Sequence, residues 1–116
     1  MNGSEKQIQW ANDIKAQVVN KVIAYRDYYQ GRFEQKGIAA DDPRWETITE
    51  ANSALALIEQ QQEAKWFINN LRNFGKPFVE PQVMGFVPIR ESDEGGAIVE
   101  LVNGLARREA RKARQN

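Results

Sequence analysis

The stretch AKWFINNLRNF, residues 64–74, concentrates three aromatic and two large aliphatic side chains within eleven residues. Phe67, Leu71 and Phe74 recur at the spacing of one helix face, and a glycine and a proline follow the stretch. We interpret it as a short helix that fills the centre of a core, with longer helices around it. Trp66 and Phe67 form its densest apolar pair, so we expect both to be largely buried.

A long first helix is predicted from about Glu5 to between Gln30 and Lys36. Ser4 and Gln7 have the spacing of a capping box at its start. At about 1.5 Å per residue such a helix is ~40–48 Å long, so part of it projects or meets a partner, and a homodimer through residues 8–33 is one such arrangement. Its apolar positions follow one another at steps of three and four: Ala11, Ile14, Val18, Val22, Tyr25, Tyr29 and Phe33.

A second helix is predicted after Asp42-Pro43, a pair that suits the cap and the first turn of a helix. Its apolar side follows the same spacing, but residues 60–63 are polar and interrupt it. Either the buried face rotates here or a kink separates this helix from the aromatic one, and we favour the kink. The apolar positions are Trp45, Ile48, Ala51, Leu55 and Ile58.

Residues 78–89 are apolar but contain prolines and a glycine, which disfavour a helix and a central strand. We interpret them as an extended arm or an edge hairpin. Residues 90–96 are predicted to be a polar loop, with Ser92 or Asp93 capping a last helix that bends at Asn103-Gly104. The fold class is therefore mainly α, with residues 1–105 as one helical domain and residues 106–116 as a basic C-terminal tail.

Composition excludes several chemistries. The 116 residues include no cysteine and no histidine, so thiol chemistry, the Ser-His-Asp triad and most zinc sites are absent. Asp41-Asp42 is better explained as a cap, and Glu46 with Glu50 as a solvated helix face, than as catalytic or metal-binding pairs. Tyr25, Tyr28 and Tyr29 lie near Arg26, and we interpret them as a tyrosine-lined helix face. We expect neither an enzyme nor a cofactor.

No apolar run approaches the ~18 residues that a membrane-spanning helix requires, and the first residues do not resemble a signal peptide. We therefore expect a cytoplasmic protein without membrane contacts, working in a bacterial host cell.

Two charged segments are the candidate binding surfaces of this otherwise neutral chain. Residues 37–63 carry six acidic groups and one basic group, and could present a row of carboxylates to a basic partner. Residues 104–116 carry five basic groups and one acidic group, and could contact phosphates. The acidic candidates are Asp41, Asp42, Glu46, Glu50 and Glu59. The basic candidates are Arg107, Arg108, Arg111, Lys112 and Arg114.

Two patches resemble small uncharacterised proteins of phages and other mobile elements. They are GSEKQIQWA at residues 3–11, with Ile14 after it, and AKWFINN at residues 64–70. In those proteins an arginine often follows the second patch directly, whereas here Leu71 comes before Arg72. The resemblance implies a stoichiometric modulator of host machinery. We therefore expect non-catalytic binding to a protein or nucleoprotein partner, for example as a phage-type inhibitor such as an anti-CRISPR protein. The alternative is a small DNA- or RNA-binding accessory protein that uses the basic tail.

Overall fold

The computed structural model describes residues 1–78 and 90–115, and in these residues the fold is mainly α-helical, as predicted, with no β strand. Four helices make up the described part of the chain, and two turns of 3-10 helix lie in the connections between them. The helices are α1 (Glu5–Gln35), α2 (Glu46–Gln60), α3 (Ala64–Leu71) and α4 (Glu91–Gln115), and the 3-10 turns are Pro43–Trp45 and Arg72–Phe74. The predicted arm or hairpin at residues 78–89 falls almost entirely outside the described residues.

The first helix begins and ends where the sequence predicts. The Ser4 hydroxyl accepts the backbone N–H of Gln7 at 3.2 Å, and the Gln7 side chain accepts the N–H of Ser4 at 3.0 Å. The predicted apolar positions from Ala11 to Val22 are fully buried against the other three helices. Beyond residue 22 the aromatic side chains of the same stripe are only partly buried. The stripe therefore packs inside a single chain for most of its length.

The predicted kink after α2 is a complete break in the helix. Gln61 and Glu63 both have extended backbone conformations. Asn2 runs alongside this segment, donating its N–H to the carbonyl oxygen of Gln62 at 2.6 Å and accepting the N–H of Ala64 at 2.8 Å. The polar residues 61–63 therefore form a connection that the N-terminus holds in place.

The aromatic helix α3 is central to the core, as predicted. Phe67 and Leu71 are completely buried, together with Ala64. Trp66 is only partly buried, so that part of the prediction was too strong. One residue is about 100° around a helix, which places Trp66 on the flank of the buried face. Its ring lies edge-on to Phe67, with 5.1 Å between the ring centres.

The start of the last helix differs from the sequence prediction. Residues 91–96 are helical, so the predicted polar loop is wrong, and Asp93 lies inside the first turn, where it accepts the N–H of Arg90 at 2.9 Å. Gly95 and Gly96 face α1 at the crossing of the two helices. A β carbon on Gly96 would lie 3.0 Å from the Tyr25 ring, and one on Gly95 would overlap the α1 backbone. The two glycines permit this close approach inside a helix.

The predicted bend at Asn103-Gly104 does not interrupt α4. Asn103 is buried and donates its side-chain amide to the carbonyl oxygen of Glu50 at 3.1 Å, which ties α4 to α2. The helix then continues through residues 106–115, the segment we described from sequence as a tail. Ile98, Val99 and Val102 of this helix complete the core.

A lysine lies inside the core beside the apolar stripe. Lys21 is 2% exposed. Its ammonium donates to the carbonyl oxygens of Phe74 and Lys76, both at 2.8 Å, and pairs with Glu94 at 3.4 Å. Since an ammonium has three N–H donors, each can have an acceptor here. Lys21 thus connects α1 to the end of the aromatic segment and to α4.

Candidate anion-binding surfaces

The five acidic candidates do not form one continuous row. Asp42 caps the 3-10 turn by accepting the N–H of Arg44 at 2.9 Å. Its carboxylate also binds the guanidinium of Arg44, with a closest N–O distance of 2.9 Å. These hydrogen bonds stabilise the ionised carboxylate and lower the pKa of Asp42 to about 2. The charge of Asp42 is therefore compensated by its near neighbour.

The other acidic candidates face different directions. Glu59 forms an ion pair with Lys15 of α1 at 3.1 Å. Glu50 lines a cavity between helices, together with Tyr25 and Arg107. Asp41 and Glu46 are exposed near the start of α2. The geometry thus separates the predicted acidic face into isolated carboxylates, some of them already paired with cations.

The five basic candidates do lie together on the exposed end of α4. All of them are solvent-exposed, and none forms an ion pair with a carboxylate of residues 1–78 or 90–115. At about 100° per residue, Arg107, Arg111 and Arg114 fall within a sector of roughly 60°, and Arg108 and Lys112 widen the sector that holds all five cations to roughly 160°. We call these five side chains the basic end: Arg107, Arg108, Arg111, Lys112 and Arg114.

A second cationic site lies at the other end of α4, and the sequence analysis missed it. Arg32 of α1 donates to the Tyr28 hydroxyl at 2.9 Å, and Arg90, at the start of α4, donates to the same hydroxyl at 2.7 Å. Both guanidinium groups also lie over the Tyr28 ring, 5.6 Å and 4.6 Å from its centre. Two positive charges therefore converge on one neutral side chain.

These residues form part of a surface cavity of about 350 Å³. Four cations and three aromatic rings line it. We call it the tyrosine–arginine cavity, and its lining is Tyr28, Tyr29, Arg32, Phe33, Lys36, Arg44 and Arg90.

The cations of the cavity are only partly neutralised. Arg44 is paired with Asp42, and Arg90 has a carboxylate oxygen of Asp93 at 3.7 Å. Within the described part of the chain, neither Arg32 nor Lys36 has a carboxylate within ion-pair distance. The cavity therefore retains positive charge that no carboxylate of residues 1–78 or 90–115 compensates.

The arginines also change the acidity of the tyrosine. Hydrogen bonds from Arg90 and then Arg32 stabilise the phenolate of Tyr28 and lower the pKa of its hydroxyl below the ordinary value. The pKa of Tyr25, one turn earlier, is raised instead, chiefly because burial disfavours its charged form. The two guanidinium groups that meet at this hydroxyl therefore favour negative charge in the cavity.

Sequence reasoning linked the tyrosines to the wrong arginine. Arg26 points away to Asp27, at 3.1 Å, and to the side chain of Asn52, at 3.2 Å. The spacing of Tyr28 and Arg32, one helical turn apart, was a local signal for the site. Arg90 is 62 residues from Tyr28 along the chain, and only the crossing of α1 and α4 brings the two together.

No group of three or more carboxylates in residues 1–78 and 90–115 could hold a metal ion. No helix in the described part of the chain combines the length and the apolar character needed to cross a membrane. Comparison of the chain with protein-family models, with curated proteins and with solved structures gives no match to any of them.

Proposed function

We propose that the protein is a non-catalytic binding protein that acts stoichiometrically on a nucleoprotein partner and contacts the nucleic acid of that partner. The observation that carries the proposal is the basic end of α4, where five exposed cations have no carboxylate partner in the described residues. Exposed lysine and arginine side chains attract phosphates and release the counterions bound to them.

The shape of the basic end also supports contact with a nucleic acid backbone. The cations lie on a continuous helix, so their spacing is set by the backbone rather than by a disordered chain. From Arg107 to Arg114 the helix rises about 10 Å, which corresponds to roughly three phosphates along one DNA strand. Several phosphates can therefore be contacted at once.

The acidic candidates support a protein partner less well. Asp42 and Glu59 are already paired with Arg44 and Lys15. A basic groove of a partner would have to displace these cations before it could bind the carboxylates. For this reason we favour the nucleic acid of the partner over a direct protein contact.

The biological form of the proposal follows from the resemblance to phage and mobile-element proteins. A stoichiometric binder in that setting would act on a host nucleoprotein complex, and inhibition of host defence, as by an anti-CRISPR protein, is the role we propose. Pull-down from a bacterial lysate with and without nuclease tests whether the protein contacts the nucleic acid or the protein of its partner. Partners lost after nuclease treatment support binding through nucleic acid, whereas partners that are retained indicate a protein contact.

The direct test is a titration of labelled oligonucleotides at two salt concentrations. Because the basic end spans roughly three phosphates of one strand, the slope of log K against log salt should be roughly −3 for a duplex and roughly −2 for a single strand. Deletion of residues 107–116 should strongly weaken binding without changing the melting temperature, because the described side chains of that segment are exposed. The matched control replaces Lys6 and Lys65, exposed cations on α1 and α3, with glutamine. Equal binding by the deletion variant, or no binding by the intact protein, would contradict the proposal.

A further inference from the structure

The hydrogen bonds of Arg32 show that the tyrosine–arginine cavity has unused binding capacity. A guanidinium carries five N–H donors and pairs best with a carboxylate or phosphate that accepts two of them. Within the described residues, the guanidinium of Arg32 makes one hydrogen bond, to the neutral Tyr28 hydroxyl. The Arg90 guanidinium donates to the same hydroxyl, and Asp93 is at 3.7 Å on its other side. The remaining donors suit an anion with several oxygen atoms.

The aromatic rings beside these donors offer a second kind of contact. Tyr28 and Tyr29 lie with ring centres 5.1 Å apart, and Tyr29 and Phe33 with centres 5.9 Å apart. All three side chains line the cavity and are partly exposed. An aromatic face at a wet surface can stack on a nucleobase, and such stacking contributes to binding with little dependence on base identity.

We propose that the tyrosine–arginine cavity binds one nucleotide of a single strand, with the phosphate held by Arg32 and Arg90 and the base stacked on Tyr29 or Phe33, because the two guanidinium groups lie over the Tyr28 ring. The cavity volume of about 350 Å³ is at the lower end of the range for small-molecule sites, which suits a single nucleotide. A base that is paired and stacked in a duplex cannot reach these rings, so the cavity selects single strands over duplexes.

The inference rests on the proposed function in one respect, because it assigns the same class of partner to a second surface. The two surfaces can be tested separately. Arg90 and the basic end lie at opposite ends of α4, and no cation of the basic end lines the tyrosine–arginine cavity. A mononucleotide is too small to require the basic end, so it tests the cavity alone.

The first experiment follows the tyrosine ring signals by NMR during titration with AMP, adenosine or inorganic phosphate. AMP should bind the intact protein at least about tenfold more tightly than adenosine or inorganic phosphate does, because only AMP makes both the charged and the stacking contact. Arg32→Gln should remove most of this binding. The matched control is Arg26→Gln, which changes an arginine of the same helix outside the cavity and should leave AMP binding unchanged.

The second experiment compares a labelled single strand with a duplex of the same sequence. Arg32→Gln should weaken single-strand binding roughly tenfold, and should reduce its salt slope by about 0.7 if one phosphate contact is lost. Duplex binding should change less than twofold. Deletion of residues 107–116 should weaken both, while leaving AMP binding intact.

The outcomes separate the two proposals. AMP binding that depends on Arg32, without salt-sensitive oligonucleotide binding, supports the cavity and contradicts the proposed role of the basic end. Oligonucleotide binding that depends only on residues 107–116, with no AMP effect on the Tyr28 ring, overturns the cavity assignment. Equal affinity for AMP and inorganic phosphate also overturns it, because the base then contributes nothing.

Discussion

Gly95 allows α1 and α4 to cross closely, and its replacement by alanine should separate them. A β carbon at this position would overlap the carbonyl oxygen of Lys21 and would lie 2.7 Å from the β carbon of Tyr25. The α1 backbone cannot move aside as the end of a flexible side chain can. Gly104, nine residues later in the same helix, has no atom within 4 Å of the corresponding position. The two glycines therefore make a matched pair.

The two substitutions should change stability in opposite directions. Alanine is favoured over glycine inside a helix by about 1 kcal/mol, so Gly104→Ala should raise the free energy of unfolding by up to that amount. Gly95→Ala has the same helix benefit but forces the helices apart and loosens the core around Ile98 and Val102. Overpacking typically costs about 1–3 kcal/mol and occasionally more, and since the overlap here is with backbone we expect a net loss of about 2–3 kcal/mol.

Thermal and urea unfolding followed by circular dichroism would measure both effects. With roughly 4 °C per kcal/mol for a domain of this size, the melting temperature should fall by about 8–12 °C for Gly95→Ala and rise by up to about 4 °C for Gly104→Ala. An increase for both variants would mean that α1 and α4 do not cross at Gly95, and would refute the helix arrangement described above.

Three further predictions concern the core and the tyrosine–arginine cavity. Lys21→Met should lower the free energy of unfolding by about 2–4 kcal/mol, because the buried acceptors lose their donor. The control Lys15→Met removes a surface ion pair and should lower it by less than about 1 kcal/mol. Equal denaturation midpoints for the two variants would contradict this prediction. Phe67→Ala should cost about 3–5 kcal/mol and Trp66→Ala clearly less, since only Phe67 is fully buried; urea unfolding checks the order. In an alkaline absorbance titration, Tyr28→Phe should remove the tyrosine that ionises at the lowest pH, because hydrogen bonds to its phenolate lower its pKa; an unchanged titration curve would count against those bonds.

The helices that could be predicted from sequence are those with local signals. The capping box at Ser4 and the regular apolar spacing after it define α1 without reference to any other part of the chain. Asp42-Pro43 likewise marks the entry to α2. The polar residues 60–63 indicate a break, although only the structure shows that Asn2 pairs with this segment.

The start of α4 could not be predicted because tertiary packing overrides local preference there. Gly95-Gly96 after a run of polar residues is typical of a loop, and glycine costs about 1 kcal/mol in a helix interior relative to alanine. At this crossing the absence of a side chain permits close contact with α1, which the spacing of residues along α4 does not reveal. Lys21 was missed for a related reason, because its acceptors come from residues more than 50 positions away.

The candidate surfaces also differ in whether one stretch of sequence is enough to predict them. The basic end could be found from sequence, since its five cations fall within eight residues of one helix. The tyrosine–arginine cavity requires Arg90 to meet Tyr28, and no pattern within either segment indicates that contact. The acidic face looked continuous in the sequence because the partners of Asp42 and Glu59 were not considered.

The zero net charge of the chain does not argue against a polyanionic partner once the ion pairs are located. Two carboxylates are held by cations of α1, in the pairs Glu94–Lys21 and Glu59–Lys15. Their negative charge is therefore compensated locally. Glu50 and Glu100 line a cavity with Arg107, the first cation of the basic end. Beyond it, Glu109 is the one carboxylate between the cations in the sequence, and Glu100 is about 16 Å along the helix axis from Arg111. Since charges at a surface are screened over about 8 Å at physiological ionic strength, a phosphate near Arg111 experiences the local excess of cations rather than the neutral total.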